Sequence, residues 1–368
     1  MATVKAKIFG AGSIGNHLTQ AARRAGWEVV LVDADKKALE RTKKELYPKR
    51  YGAWDEGVTL ATLKDMPIGG FDVIMVGTPP DTHMQLATEI LKKEAPKVLQ
   101  IEKPLCTPTL KGLKEFIAEA LKHPKTKIVV GYNHLLAENT LTAENIISRE
   151  IFKDILSIDC EFRSHWENIF KAHPWLEGPH DTYLGFWERG GGSGAEHSHG
   201  VNIWQHFAHV LGAGRIALVS ATIDIVKAKK GAEYDRSFFV QFVTDKGVVG
   251  RLAQDVITQP KKKFVEMQFG NGSLLWDNDV SKTTDEVVSL LRGKEPEKIV
   301  ITKSRPDEFF HEIKHLEKLF TGEMKYKDSP IRLKRSVETM LVVAAAFESN
   351  KKKKAVKVNY ALADKLGK

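Results

Sequence analysis

The chain reads as an α/β protein: a doubly wound parallel sheet at its N-terminal end, followed by an α+β domain with a large, mostly antiparallel open sheet. Three observations predict this. Short β-branched runs alternate with helix-periodic stretches up to about residue 130, after which the texture changes to runs separated by tight-turn signals. In addition, 368 residues are too many for one compact core and suit two domains. The first domain is expected over residues 1–131 and the second over 132–368, the helix at about 330–350 being a candidate to pack back on the first.

In the first domain, residues 4–9, 28–32, 72–76, 97–101 and 127–130 read as strands, and 16–25, 36–46, 82–94 and 110–123 carry helical periodicity between them. Strands that alternate with helices make a parallel sheet. Beyond Gly131 a helix at 140–150 precedes strand-like runs at 155–163, 217–226, 237–243, 247–256 and 264–269, with turn signals at Asp245-Lys246-Gly247 and Asn271-Gly272. Two helices, 306–320 and 330–350, and a short strand at 354–358 close the chain.

Composition narrows the class. Hydrophobic residues at 42% and charged residues at 28% argue against disorder. The formal charge of +9 raises nucleic acid as a partner, but no zinc-finger spacing or RNP-like aromatic motif accompanies it, and the lysine runs 261–263 and 351–354 read as solvated faces. No nucleic-acid partner is expected. Cys106 and Cys160 form neither a disulfide framework nor a metal pair, which fits a reducing cytoplasm. The start of the chain runs directly into a strand pattern, and the longest apolar stretch, 340–347, is short of the roughly 20 residues a membrane span needs. Neither export nor membrane insertion is expected.

The turn Gly10-Ala11-Gly12-Ser13-Ile14-Gly15 follows the first strand and opens the first helix. Glycines there permit a tight bend and close approach of the main chain to a pyrophosphate at the helix N-terminus, as in Rossmann domains. Asp33 closes the next strand, where a carboxylate accepts hydrogen bonds from the ribose hydroxyls and repels a 2′-phosphate. NAD is therefore expected ahead of NADP.

Two further segments lie where an open parallel sheet binds ligands: Thr78-Pro79-Pro80-Asp81-Thr82-His83 and Glu102-Lys103-Pro104. This pair, behind a GAGSIG start, resembles the Gfo/Idh/MocA family of sugar and cyclitol dehydrogenases over nearly the whole chain. The resemblance implies that Lys103 lies beside the nicotinamide and the substrate hydroxyl, with Glu102 fixing the loop and Gly10, Gly12, Ser13, Ile14, Gly15, Asp33, Thr78, Pro79, Pro80 and His83 lining the cofactor. A cation beside the reacting oxygen stabilises the alkoxide formed as hydride leaves.

The family then carries a glycine-rich segment leading into a helix with an aspartate and a histidine. Here it runs from Gly190 to Asn202. Counted without gaps, Glu196 falls on the aspartate and Gly200 on the histidine; shifted by one, His199 becomes the histidine and Asn202 the acidic residue. His199 is the expected proton-transfer group because an imidazole exchanges protons near neutral pH, with His197 in reserve. His199, Asn202, His206 and His209 share one helical face. Glu196, His197, His199, His206 and His209 could in principle hold zinc, but the family's hydride chemistry needs no metal, and none is expected. In Gly131-Tyr132-Asn133-His134-Leu135-Leu136 the family commonly has an arginine after the aromatic residue and this chain has leucine, leaving Asn133 or His134 to contact substrate.

Arg163, Trp166, Trp175, Asp181 and Tyr183 complete the expected substrate pocket, since aromatic faces and hydrogen-bonding side chains suit a carbohydrate. The irregular stretch 171–193 reads as a binding loop. The resulting expectation is an NAD-dependent dehydrogenase acting on a secondary hydroxyl of a sugar, amino sugar, nucleotide sugar or cyclitol, assembled as a homodimer or homotetramer by resemblance. The alternatives are a non-catalytic NAD(H) sensor of the same fold and an aldose–aldose oxidoreductase with tightly held cofactor.

Overall fold

In the computed structural model the described residues are 3–172, 176–304 and 306–367. Six parallel strands form the first sheet: β1 Lys5–Phe9, β2 Glu28–Asp33, β3 Val58–Thr62, β4 Val73–Val76, β5 Val98–Ile101 and β6 Lys127–Val130. Their order is β3-β2-β1-β4-β5-β6. β4 and β5 are buried along their whole length, as befits Val-, Ile- and Leu-rich strands covered by helices on both faces. Strand order reverses at β1, and the crevice beyond the carboxyl ends of β1 and β4 is where such sheets take ligands. The edge strand β3 escaped sequence reading.

Helices α1 Ser13–Arg24, α2 Lys36–Arg41, α3 Tyr47–Tyr51, α4 Pro80–Lys93 and α5 Leu113–Ala120 connect these strands. The helix expected over 36–46 continues to Tyr51 through a π turn at Thr42–Leu46. α3 follows the π turn directly, with Pro48 in its second position. The wide turn leaves Thr42 buried, with its hydroxyl donating to the Ala11 carbonyl at 2.8 Å.

The rest of the chain comprises α6 Glu138–Ser148, β7 Ile155–His165, α7 Glu167–Ala172, α8 Gly192–Glu196, α9 His199–Val210, β8 Ile216–Lys227, β9 Glu233–Thr244, β10 Val249–Asp255 and β11 Ile257–Phe269. β12 Gly272–Asp277, β13 Thr284–Leu291, β14 Glu297–Thr302, α10 Asp307–Thr321, α11 Leu333–Lys352, β15 Val356–Lys357 and α12 Ala361–Asp364 follow. Nine strands form the second sheet in the order β14-β13-β12-β11-β7-β10-β9-β8-β15, antiparallel throughout except for the parallel pair β7 and β10. The β12–β14 meander was not anticipated.

The second sheet alternates as a one-sided sheet should. Phe238, Val240 and Phe242 of β9 are buried, whereas Phe239 between them is 41% exposed. α8 packs on β9, α9 on β7 and β10, and α11 on β8. On the opposite face Val249, Leu290 and Val300 also stand exposed. The chain finally returns to the first sheet: α10 packs on α1 through Arg24 and Asp307, Trp27 Nε1 donates to Glu317, and Val130 N–H donates to the Ile331 carbonyl. The parallel-sheet layer is thus completed by residues beyond 306, not by the first 131 alone. Among the described residues no helix is long and apolar enough to cross a membrane.

Candidate active site

The glycine turn sits at the carboxyl end of β1, and each glycine has its own reason. A Cβ on Gly10, whose φ is +101°, would lie 2.6 Å from the Gly77 carbonyl oxygen, and one on Gly15 would lie 1.7 Å from that of Gly10. These two permit the close packing of turn, helix and β4. At Gly12 a Cβ would meet nothing within 4 Å, so the turn opens to solvent there. Asn16 donates to the Gly12 carbonyl at 2.7 Å, and Asp33 Oδ2 accepts the Ala11 N–H at 2.7 Å. The first turn of α1 has no side-chain cap and no acidic residue, leaving the N–H groups of Ser13 and Ile14 open to an anion. The fit to a dinucleotide pyrophosphate is good.

Two loops flank this crevice. Thr78 and Thr82 hydroxyls, on either side of Pro79 and Pro80, bond at 2.7 Å at the head of α4. His83 is fully buried; Nε2 lies 2.7 Å from the Thr78 carbonyl and Nδ1 3.0 Å from that of Pro104. Burial lowers its pKa, so the neutral ring has a single N–H to donate to one of these carbonyls, and His83 braces the two loops from behind. Glu102 is 6% exposed and lies against Gly131, where a Cβ would meet its carboxylate at 2.6 Å. Gln100 donates to Glu102 at 3.3 Å and to the buried Glu312 of α10 at 2.9 Å. Burial pushes Glu102 up to about 7, against the pull of Lys103, and raises Glu312 as well, with Glu102 adding to it.

Lys103 leaves this loop toward the second domain. Its Nζ donates to Glu196 Oε1 at 2.8 Å and to the Glu196 carbonyl at 3.0 Å, while Tyr183 O–H donates to Glu196 Oε2 at 3.0 Å. Lys103 and Glu196 side chains are 14% and 15% exposed, so a ligand can still reach the pair. α8 presents Glu196, and Asp235 of β9 holds α8: its Oδ2 accepts from Gly194 N–H at 2.5 Å and Ser193 O–H at 3.0 Å. A Cβ on Gly190 would lie 2.6 Å from Pro80, which brings the glycine segment directly against the cofactor loops.

Behind this pair stand the imidazoles. His197 Nε2 is 3.1 Å from Ser164 Oγ, and burial, aided by Lys263 and Lys103, lowers its pKa to about 4. His199 packs edge-on against His134 and Tyr132, with centroids 4.5 and 5.5 Å away. Burial, His134, Lys103 and Lys263 depress it well below the usual histidine value, which removes the reason for expecting an unperturbed imidazole. Its Nδ1 is buried without a hydrogen-bond partner among the described residues. Asn202 is turned away: its amide donates to Thr339 of α11 at 3.0 Å. His206 bonds Glu144 at 2.5 Å, so the shared helical face is divided among packing partners and does not face one pocket.

Strand alternation relocates Arg163. Phe162 points at α9, where Gly200 approaches its Cβ; Arg163 therefore points out of the opposite face, bonded to Asp255 at 2.6 Å and lying over Phe239. The same rule brings in a residue the sequence reading missed. Lys263, opposite Phe162 in β11, shares the inner face and lies over that ring, 3.7 Å from Asp279. A lysine in step with Val265 and Met267, both buried, was the available signal. Lys261 pairs with Asp279 at 2.7 Å, so this basic run is partly neutralised.

Trp166 is 5% exposed and packs with Leu184, Val256 and Tyr234, a core role. Asn133 and His134 open a 3-10 turn after β6, with Asn133 half-buried. Trp175 lies outside the described residues. Asp181 accepts the Glu177 N–H at 2.8 Å. Glu177, His180 and Asp181 are the grouping among the described residues whose ligand atoms converge as a metal would require; the histidines of α9 do not.

Residues 4–132 match the sequence profile of the oxidoreductase family with NAD-binding Rossmann fold. No curated protein matches the chain in sequence. Among solved structures, levoglucosan dehydrogenase in complex with NADH and levoglucosan is 15% identical, with 97% of this chain and 100% of that one aligned at a TM-score of 0.74. An oxidoreductase domain protein from Kribbella flavida aligns at 0.75 and 15% identity over 98% and 100% of the two chains. The WlbA dehydrogenase from Bordetella pertussis, complexed with NADH and UDP-GlcNAcA, aligns at 0.71 and 15% over 97% and 99%. These structures share the fold of the whole chain, and it is residues 4–132 that match the Gfo/Idh/MocA oxidoreductase family with its NAD-binding Rossmann fold.

Proposed function

We propose that this chain is an NAD-dependent dehydrogenase that interconverts a secondary hydroxyl and a carbonyl on a sugar or related polyol. The observation that carries it is the ion pair of Lys103 with Glu196, whose other oxygen accepts from Tyr183, together with the open glycine turn at the strand-order reversal. Carbohydrate ligands in structural neighbours, levoglucosan, L-sorbose and UDP-GlcNAcA, support the substrate class.

The first turn of α1 would hold the pyrophosphate of NAD and Asp33 its ribose, the carboxylate disfavouring a 2′-phosphate and hence NADP. When bound, NAD supplies the hydride acceptor. Glu196 and Tyr183 orient Lys103 so that its ammonium donates to the substrate oxygen, stabilising negative charge as it develops. Neutral His199, whose Nδ1 is uncommitted, takes the hydroxyl proton. The exposed apolar residues Phe239, Val249, Leu290 and Val300 on the outer sheet face support pairing of that face in a homodimer or homotetramer.

Purified protein with NAD⁺ and a panel of sugars, amino sugars, nucleotide sugars and cyclitols should produce NADH with at least one of them. Lys103→Met should lower kcat by about 100-fold or more while NADH binding persists, the scale of losing one pre-organised charge-stabilising group. No turnover across the panel, or full activity in Lys103→Met, defeats the reading.

A further inference from the structure

We infer that Arg50 is a ligand of the cofactor pyrophosphate, supplied by α3 from outside the glycine turn; the inference rests on the NAD reading above. Arg50 lies at the far end of the helical segment that begins at Lys36 and passes through the π turn. Its two terminal nitrogens donate to Ser13 Oγ at 2.9 Å and to the Ser13 carbonyl at 3.1 Å. Ser13 is the first residue of α1, whose opening N–H groups carry neither cap nor acidic neighbour. The guanidinium is therefore fastened beside the point where a diphosphate would meet the helix.

What singles Arg50 out is its lack of an acid. The neighbouring Arg23 and Arg24 pair with Asp55 and Asp307, whereas among the described residues no carboxylate pairs with Arg50. It is half-buried, and burial lowers its pKa with no carboxylate to oppose the shift. A partly desolvated cation without a counter-ion is costly to the fold unless an anion completes it. A planar guanidinium suits phosphate oxygens, which it binds through two parallel N–H donors. Two of its contacts are already made to Ser13, so the remaining N–H groups are fixed in direction. The chemistry at this position calls for a diphosphate ester and does not depend on the adenine or on the 2′ position.

The test uses the full chain and direct binding. NADH, NADPH, ADP and adenosine are titrated by quenching of tryptophan fluorescence or by calorimetry, with wild type, Arg50→Gln and Arg50→Lys. The expected result is a weakening of NADH, NADPH and ADP by a common factor of about ten or more in Arg50→Gln, with adenosine unaffected and Arg50→Lys intermediate. The salt dependence of NADH binding should also become shallower. Three results overturn it. Wild-type NADH affinity in Arg50→Gln would refute the role of Arg50 and leave the NAD reading standing. Weakening confined to NADPH would assign Arg50 to a 2′-phosphate, and equal weakening of adenosine and ADP would show a purely structural role. Wild type that binds none of the nucleotides would overturn the NAD reading itself.

Discussion

The two sides of the candidate site are built by different rules. On the cofactor side the turn is held by its own neighbourhood: Asn16, Asp33 and Thr42 bond main-chain atoms of residues 11 and 12. On the other side the central bond, between Lys103 and Glu196, joins side chains 93 residues apart. Tyr183, Asp235 and Lys263 then enter from a 3-10 turn and two separate strands. The first side is set within residues 10–42. The second is a convergence, and it exists only once the nine-stranded sheet has formed.

That contrast can be broken most sharply at Gly15. A methyl group there would lie 1.7 Å from the Gly10 carbonyl oxygen, main chain against main chain, with no flexible side chain to give way. Gly15→Ala should cut NADH affinity by 100-fold or more, an effect of about 3 kcal/mol, and lower the denaturation midpoint. The second sheet should keep its near-ultraviolet tryptophan signals. Unchanged NADH binding by titration would mean that the turn does not position the cofactor.

The same contrast explains what was legible in the sequence. The parallel sheet, the glycine turn and Asp33 could be read because strand, turn and carboxylate are local and their spacing is set by backbone geometry. The π turn at Thr42–Leu46 was hidden, since one extra residue per turn leaves little trace in periodicity. On the substrate side Glu196 and Tyr183 were named as neighbours of the site, but nothing in the sequence says that Lys103 reaches both the carboxylate and the carbonyl of Glu196. Arg163 went to the wrong face because residue type was weighed ahead of the two-residue period of β7, and Lys263 was overlooked for the same reason. Helical spacing did align His199, Asn202 and His206, yet Thr339 and Glu144 claim two of the three.

A finer test concerns His199 and the acid limb of the pH–rate profile. A base with an ordinary histidine pKa near 6.5 would lose activity about tenfold by pH 5.5. Burial and the surrounding His134, Lys103 and Lys263 hold His199 well below that value. A base so depressed keeps its accepting form to lower pH and loses it only as pH falls through the lowered pKa. kcat/KM should therefore lack an inflection near 6.5 assignable to His199. Such an inflection in the wild type, absent from His199→Gln, would restore the simpler imidazole and remove the lysines from its account.

A last test sharpens the comparison where the convergent side is anchored. Asp235 is fully buried beneath α8, and burial raises it to about 7, against the bonds from Gly194 and Ser193 that favour the carboxylate. The unfolded chain releases this proton near 3.8, while the folded chain keeps it to about 7. The stabilisation associated with the raised pKa is complete below the unfolded value and is lost as pH rises through the folded one, with a slope of at most about 1.4 kcal/mol per pH unit. The amide introduced by Asp235→Asn cannot titrate, yet its oxygen can still accept from Gly194. The stability of wild type relative to Asp235→Asn should therefore fall steadily between about pH 4 and 7 and level off above, as read from urea midpoints at each pH. A difference constant across that range would mean that Asp235 is ionised in the folded protein, and that α8 and Glu196 rest on a buried charge.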